Sequence, residues 1–171
     1  MTFENFLIPG TNQHLSPVIS CGFAETGGSV PDPVDVENAL LILCGAVTGL
    51  AVDEELFRGG RQPGTDSGLY LRISSETPRN ESCYREFTFT ISACRSSRDE
   101  LLRAMCRLTA ALPPGDWVKV DSNLQSNEVI FAEIAPAADV VYAEYHDCGK
   151  PKFFAETEVR AVICVDTEAL L

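Results

Sequence analysis

The residues best suited to chemistry lie in one short turn, His146-Asp147-Cys148. Imidazole and thiolate are ligands that zinc prefers, and a cysteine beside a histidine can act as a nucleophile. A zinc site needs four such ligands. His14 and Cys21 could add two more, but the spacing of the four residues matches no recognisable zinc motif. A reactive thiol also needs an electropositive setting, whereas Asp147 adjoins this one. A solvated hairpin turn is therefore the favoured interpretation, and no metal or other cofactor is expected.

An acidic run and a glycine-rich loop are the other candidates for chemistry. Paired carboxylates such as those of Asp53, Glu54 and Glu55 can transfer protons or bind a divalent cation. Consecutive strand residues point to opposite faces, however, so at most Asp53 and Glu55 share a side. The loop 59–68 lacks the lysine of a phosphate-binding P-loop, and no GxGxxG or GxSxG motif occurs. The sequence therefore predicts that the protein is not an enzyme.

Charged residues instead suggest a surface for self-association. The chain has 13 Lys and Arg against 25 Asp and Glu, a formal net charge of −12. Arginines that flank two polar loops of so acidic a protein can bind the carboxylates of a neighbouring copy, although ordinary surface arginines would look the same. The candidate subunit interface consists of six charged residues: Arg58, Arg61, Arg79, Arg85, Glu156 and Glu158.

Composition limits the class of protein. A length of 171 residues suits one domain, 32–171, preceded by an irregular arm, 1–31, that packs on its own domain or on a neighbour, or else frays. No apolar run is long enough to span a bilayer, and the N-terminus lacks the basic start of a secretory signal. The negative charge disfavours binding of nucleic acid. The simplest role of this charge is to keep the protein soluble. A more specific role is to line a channel that DNA passes without binding.

The seven cysteines are predicted to be reduced. Their number is odd, no CxxC motif occurs, and Cys44, Cys94, Cys106 and Cys164 fall in predicted helices and strands. Buried reduced cysteines behave as small hydrophobic residues. We therefore expect synthesis in a reducing cytoplasm, without a disulfide framework.

Two helices and several strands must position these residues. In residues 84–112, a strand that alternates apolar and polar residues precedes a helix that Ser97 can cap and Pro113 ends. An earlier, very apolar helix starts after Asp32 and ends at Gly49. Strands at 52–58, 68–74 and from Tyr84 are expected to form an antiparallel meander.

Further strands are expected at 117–120, 129–134 and 140–145, and the longest alternation runs from 153 to 165. Runs of strands separated by single helices predict an α+β fold. In this fold a mixed or antiparallel sheet carries two helices on one face.

This order of elements resembles a family. The segments that carry the resemblance are the strands 67–73 (SGLYLRI) and 84–91 (YREFTFTI), the helix end 108–113 (LTAALP) and a late turn at Gly149 before a long strand. The pattern is similar to the tail-terminator or minor capsid proteins of long-tailed bacteriophages and prophages, over roughly residues 33–166.

The resemblance implies a structural virion protein, made in the host cytoplasm, without catalytic residues. Copies would close into a ring, usually of six, that caps the tail tube, contacts the head–tail connector and lets DNA pass through its lumen without specific binding. The loops 59–68 and 75–83 would face the lumen or a neighbouring ring. A head-side connector or stopper is an alternative. A small intracellular metal-binding or thiol enzyme that uses His146, Cys148 and Asp53 is a more distant one.

Overall fold

The computed structural model describes residues 6–7, 14–17, 31–60, 67–78, 84–112, 117–123 and 128–164. The helices of this part are α1 (Pro33–Thr48) and α2 (Arg98–Ala111). Its strands are β1 (Phe6–Leu7), β2 (His14–Pro17), β3 (Leu56–Arg58), β4 (Gly68–Pro78), β5 (Tyr84–Arg95), β6 (Val118–Asp121), β7 (Glu128–Pro136), β8 (Val141–Asp147) and β9 (Lys150–Cys164). The strand order is β1-β2-β6-β7-β9-β5-β4-β3, and β8 pairs with β9 alone. The predicted α+β fold with a mixed sheet is confirmed.

Helix α1 begins and ends where the sequence predicts. The N–H of Asp35 donates to Oδ1 of Asp32 (2.9 Å), which caps the helix, and Gly49 ends it in the left-handed region with φ of 74°. Seven apolar residues of α1 are at most 7% exposed: Val36, Ala39, Leu40, Leu41, Ile42, Leu43 and Cys44. This helix therefore forms the centre of the core.

Helix α2 also matches its local signals. Ser97 caps the helix by accepting a hydrogen bond from the N–H of Glu100, and Leu101, Met105 and Leu108 are buried on its inner side. Both helices pack against each other and against the same sheet, α1 beside β3 and β4 and α2 beside β5 and β9.

The long strands β5 and β9 form the middle of the sheet. They pair antiparallel over twelve residues of β5, from Tyr84 opposite Cys164 to Arg95 opposite Phe153. The side of β5 that faces the core is fully buried and consists of Phe87, Phe89, Ile91 and Ala93. The alternation in the sequence therefore does mark a strand with one face in the core.

The predicted antiparallel meander is wrong at its first strand. β3 pairs parallel to β4, with Leu56 opposite Leu69. Residues before β3 form a turn, in which Asp53 has a φ of 67° and the N–H groups of Glu55 and Leu56 both donate to the carbonyl of Ala51. The acidic run is therefore a turn that shortens β3. Because β3 and β4 run in the same direction, a hairpin turn cannot connect them.

The arm contributes to the sheet of its own domain. β1 pairs antiparallel with β2, and β2 pairs with β6 through Ser16 opposite Lys119. These pairings agree with the first alternative for residues 1–31, an arm that packs on its own domain. The rest of the arm before Pro31 lies outside the described residues.

One of the described cysteines departs from the prediction. Four cysteines are not in a disulfide: Cys44 and Cys94 are buried, and Cys106 and Cys148 are exposed. Cys164, by contrast, is disulfide-bonded, so the prediction of a fully reduced chain is wrong. Disulfide formation depends on the approach of two Cα atoms in space, which the spacing of cysteines along the sequence does not reveal.

Burial of Cys44 makes stability depend on alkaline pH. Burial raises the pKa of its thiol from 9.0 to about 12. Above pH 9 the thiol ionises in the unfolded chain but not in the folded one, so the free energy of unfolding falls between pH 9 and 12, by about 1.4 kcal/mol per pH unit. Urea titrations of wild type and Cys44→Ala across this range should show a shallower decline in the variant. Equal slopes would contradict this origin.

Candidate assembly surfaces

Arg58, at the end of β3, is weakly engaged within its own chain. Its Nε lies 3.9 Å from Oε2 of Glu37, and its side chain is 45% exposed. A pair at this distance and exposure contributes about 0–1 kcal/mol. Glu37 is also committed elsewhere, since its Oε1 accepts a hydrogen bond from the N–H of Ile73 (2.9 Å). The guanidinium of Arg58 is therefore available to a carboxylate of another molecule.

Arg85 has a different setting, because its guanidinium connects three elements of the same chain. Nε donates to Oε1 of Glu76 on β4 (2.7 Å), and Nη1 donates to the carbonyl of Pro31 before α1 (3.2 Å). The guanidinium also lies over the ring of Phe87, 5.2 Å from its centroid. Contact with another copy would have to compete with these interactions.

The remaining interface candidates divide by position. Arg61 and Arg79 lie outside the described residues. Glu156 is exposed on β9, opposite Ser92 of β5 and Val141 of β8. Glu158 is half-buried, and its carbonyl accepts a hydrogen bond from the N–H of Ala137 (2.8 Å). Glu156 is therefore the more accessible of the two carboxylates.

Arg58 lies on β3 at one edge of the sheet, whereas Glu156 lies on β9 in its middle. Two strands, β4 and β5, separate β3 from β9. At about 4.8 Å per strand, the two positions are about 14 Å apart across the sheet. Opposite charges on separate parts of one surface permit head-to-tail association, in which each copy uses two different patches.

The residues considered for catalysis are not brought together. His146 and Cys148 are exposed in the β8–β9 hairpin, whereas Asp53 lies in the turn before β3, four strand positions away or about 19 Å. Within the described residues, no three His, Cys, Asp or Glu side chains are grouped so that they could hold a metal ion.

The predicted hairpin turn at Cys148 is confirmed. Asp147 pairs with Lys150, and the two residues between them, Cys148 and Gly149, have φ of 49° and 77°. Two consecutive left-handed residues form a type I′ turn, which matches the twist of the flanking strands.

The sequence did not identify strand β8 as a surface. A strand was expected at 140–145, but its near-complete exposure was not. Val141 is 64% exposed and Tyr142 48% exposed, two of the exposed large hydrophobic residues in the described part. The signal available was the absence of a clean apolar–polar alternation in 141–147, which indicates a strand without a buried face.

A cavity of about 260 Å³ lies where the partner of β9 changes from β7 to β8. Its walls come from the end of α2, the end of β7, the β7–β8 connection and β9, and include Leu108, Leu112, Ile134, Val140 and Val159. Asp139 and Thr157 add polar atoms, and the hydroxyl of Thr157 donates to the carbonyl of Ala138 (2.9 Å). The cavity can accept an apolar side chain or a small apolar molecule.

Comparisons with known proteins do not assign this chain to a family. No protein-family model matches it, and no curated protein does either. Among the described residues, no helix is both long enough and apolar enough to cross a membrane. The function is therefore argued from the chain's own residues.

Proposed function

We propose that this protein is a structural virion component, a subunit of the tail-terminator ring that caps the tail tube of a long-tailed bacteriophage and joins it to the head. The observation that carries the proposal is the order of elements. A helix, a short strand, two long strands, a second helix and a late turn before the longest strand follow in the order on which the resemblance rests.

The charge distribution supports assembly from identical copies. Arg58 is exposed and weakly paired, Glu156 is exposed, and the two lie on different strands. Contacts between two different patches form a closed ring when the rotation between copies is a whole fraction of a turn. The net charge of −12 also suits a lumen that lets DNA pass, because it repels phosphates.

The direct test is imaging and mass measurement of the purified protein. Negative-stain microscopy should show rings, and mass photometry should give about six times the chain mass of 18.6 kDa. Addition of tail tube protein should place these rings at tube ends. Binding to a head-side connector but not to tubes would identify a stopper instead. Monomers at high concentration, with no ring on added tubes, would contradict both.

A charge exchange tests the contact between copies. Arg58→Glu or Glu156→Arg alone should raise the protomer concentration needed for half-assembly about tenfold, because each places like charges together. The double variant should restore assembly. Arg103→Glu, on the exposed side of α2, is the matched control and should assemble like wild type. Analytical ultracentrifugation measures all four. Single variants that assemble normally would exclude this pair from the interface.

A further inference from the structure

Strand β8 presents a free main-chain edge. Asp147 and Lys150 flank a two-residue turn and therefore form a hydrogen-bonded pair. Along the two strands from this turn, non-hydrogen-bonded pairs alternate with hydrogen-bonded pairs. Tyr142, Glu144 and His146 therefore direct their N–H and C=O groups away from β9. The pairing of His146 with Pro151 agrees, since proline has no N–H to donate.

No other described segment pairs with this edge. In the parts of the chain that the structure describes, no hydrogen bond reaches the main-chain groups of Tyr142, Glu144 or His146. Sheets usually protect an edge with proline, charged residues (above all lysine) or a short strand. β8 has seven residues without proline or lysine, and its carboxylates favour an added strand of the opposite charge.

The edge at β3 makes a useful contrast. β3 has three residues, and the turn before it occupies the outward groups of Leu56: its N–H donates to Ala51 O (3.1 Å) and its carbonyl accepts from the N–H of Asp53 (2.8 Å). At Leu56 that edge is therefore closed by its own chain. Of these two edges, β8 is the one that can take another strand.

The apolar cavity lies at the start of β8. Asp139 and Val140, which line it, directly precede the first residue of the strand. A segment paired along β8 therefore reaches the cavity wall at one end. Strand addition uses main-chain hydrogen bonds for affinity and pockets for alternate side chains for specificity, and both components are present here.

Charge decides between the possible occupants. Asp139, Glu144 and Asp147 are exposed along this edge, against one exposed lysine at its tip, Lys150. Two β8 strands paired with each other would bring these carboxylates together, which disfavours a second copy of the chain. Lysine or arginine side chains on an added strand would instead face opposite charges.

We infer that the edge of β8 binds an extended segment of a different protein, with basic residues that face its carboxylates and an apolar side chain for the cavity at its start. This inference goes beyond the ring proposed above and does not depend on it. A monomeric protein could bind such a segment equally well, and rings could form without it.

The first test uses a probe peptide and the wild-type protein. The probe is a nine-residue peptide of alternating valine and lysine, and its control alternates valine and glutamate. The lysine peptide should bind about tenfold more tightly by fluorescence anisotropy. In NMR hydrogen exchange, the amides of Tyr142, Glu144 and His146 should become protected on binding. The amide of Ala143, which already faces β9, should not change.

The second test removes one outward donor. Glu144→Pro deletes an N–H that points away from β9, a position where an edge strand tolerates proline, and should weaken binding about tenfold. Glu144→Gln keeps the N–H and removes the charge, and should lose only about twofold to threefold. Equal binding by both variants, unchanged exchange in the wild type, or protection by self-association alone would overturn the inference.

Discussion

Phe89→Ala is expected to lower the free energy of unfolding by about 3–5 kcal/mol, the largest effect we predict for a single substitution. Phe89 lies in the middle of β5, opposite Ile73 of β4 and Val159 of β9, and its side chain is fully buried. Its ring centroid is 6.3 Å from that of Phe87. Because strands on both sides and a helix layer hold this site, the cavity left by the ring cannot close.

Urea unfolding followed by circular dichroism measures this loss. Phe154→Ala is the matched control, since Phe154 is only half-buried on the other face of the sheet and should cost clearly less. A loss below about 1.5 kcal/mol for Phe89→Ala would mean that the core relaxes around the gap, and would contradict the packing described here.

Reduction of the Cys164 disulfide is expected to lower the free energy of unfolding by about 2–4 kcal/mol. The cross-link restricts the unfolded chain, so its loss favours unfolding. Denaturant titrations with and without a phosphine reductant measure the difference. Cys164→Ser should show the lower stability in both conditions and no response to the reductant.

Alkylation gives an independent check of the same bond. Denatured, unreduced protein should leave Cys164 unlabelled by iodoacetamide, whereas labelling of all seven cysteines would rule the bond out. The bond also bears on where the chain matures. If synthesis takes place in a reducing cytoplasm, as the sequence suggests, Cys164 should be reduced in intact cells and oxidised only after release.

The parts of the fold that could be predicted are those determined by residues close together in the sequence. Asp32 and Ser97 cap the starts of the two helices, and Gly49 ends α1. Each interacts with a main-chain group only a few residues away, so the residue types alone predict these helix ends. The alternation in β5 likewise reports burial of one face, whatever the strand's neighbours are.

The missed features depend on distant pairing. Whether β3 runs parallel or antiparallel to β4 is fixed by where the chain re-enters the sheet, which the composition of the loop between them does not encode. The exposure of β8 also depends on distant pairing, since among the described strands it pairs with β9 alone. The disulfide of Cys164 also depends on approach in space.

The division of β9 between two partners has a mechanical consequence. β7 pairs with the end of β9 from Val159 to Cys164, and β8 pairs with its beginning, from Lys150 to Glu156. Most of the first part of β9 also pairs with β5. β8 can therefore detach from β9 while the core stays folded. Because the chain holds both ends of β8, at 137–140 and at the two-residue turn before β9, the detached strand would open as a loop and not as a free end.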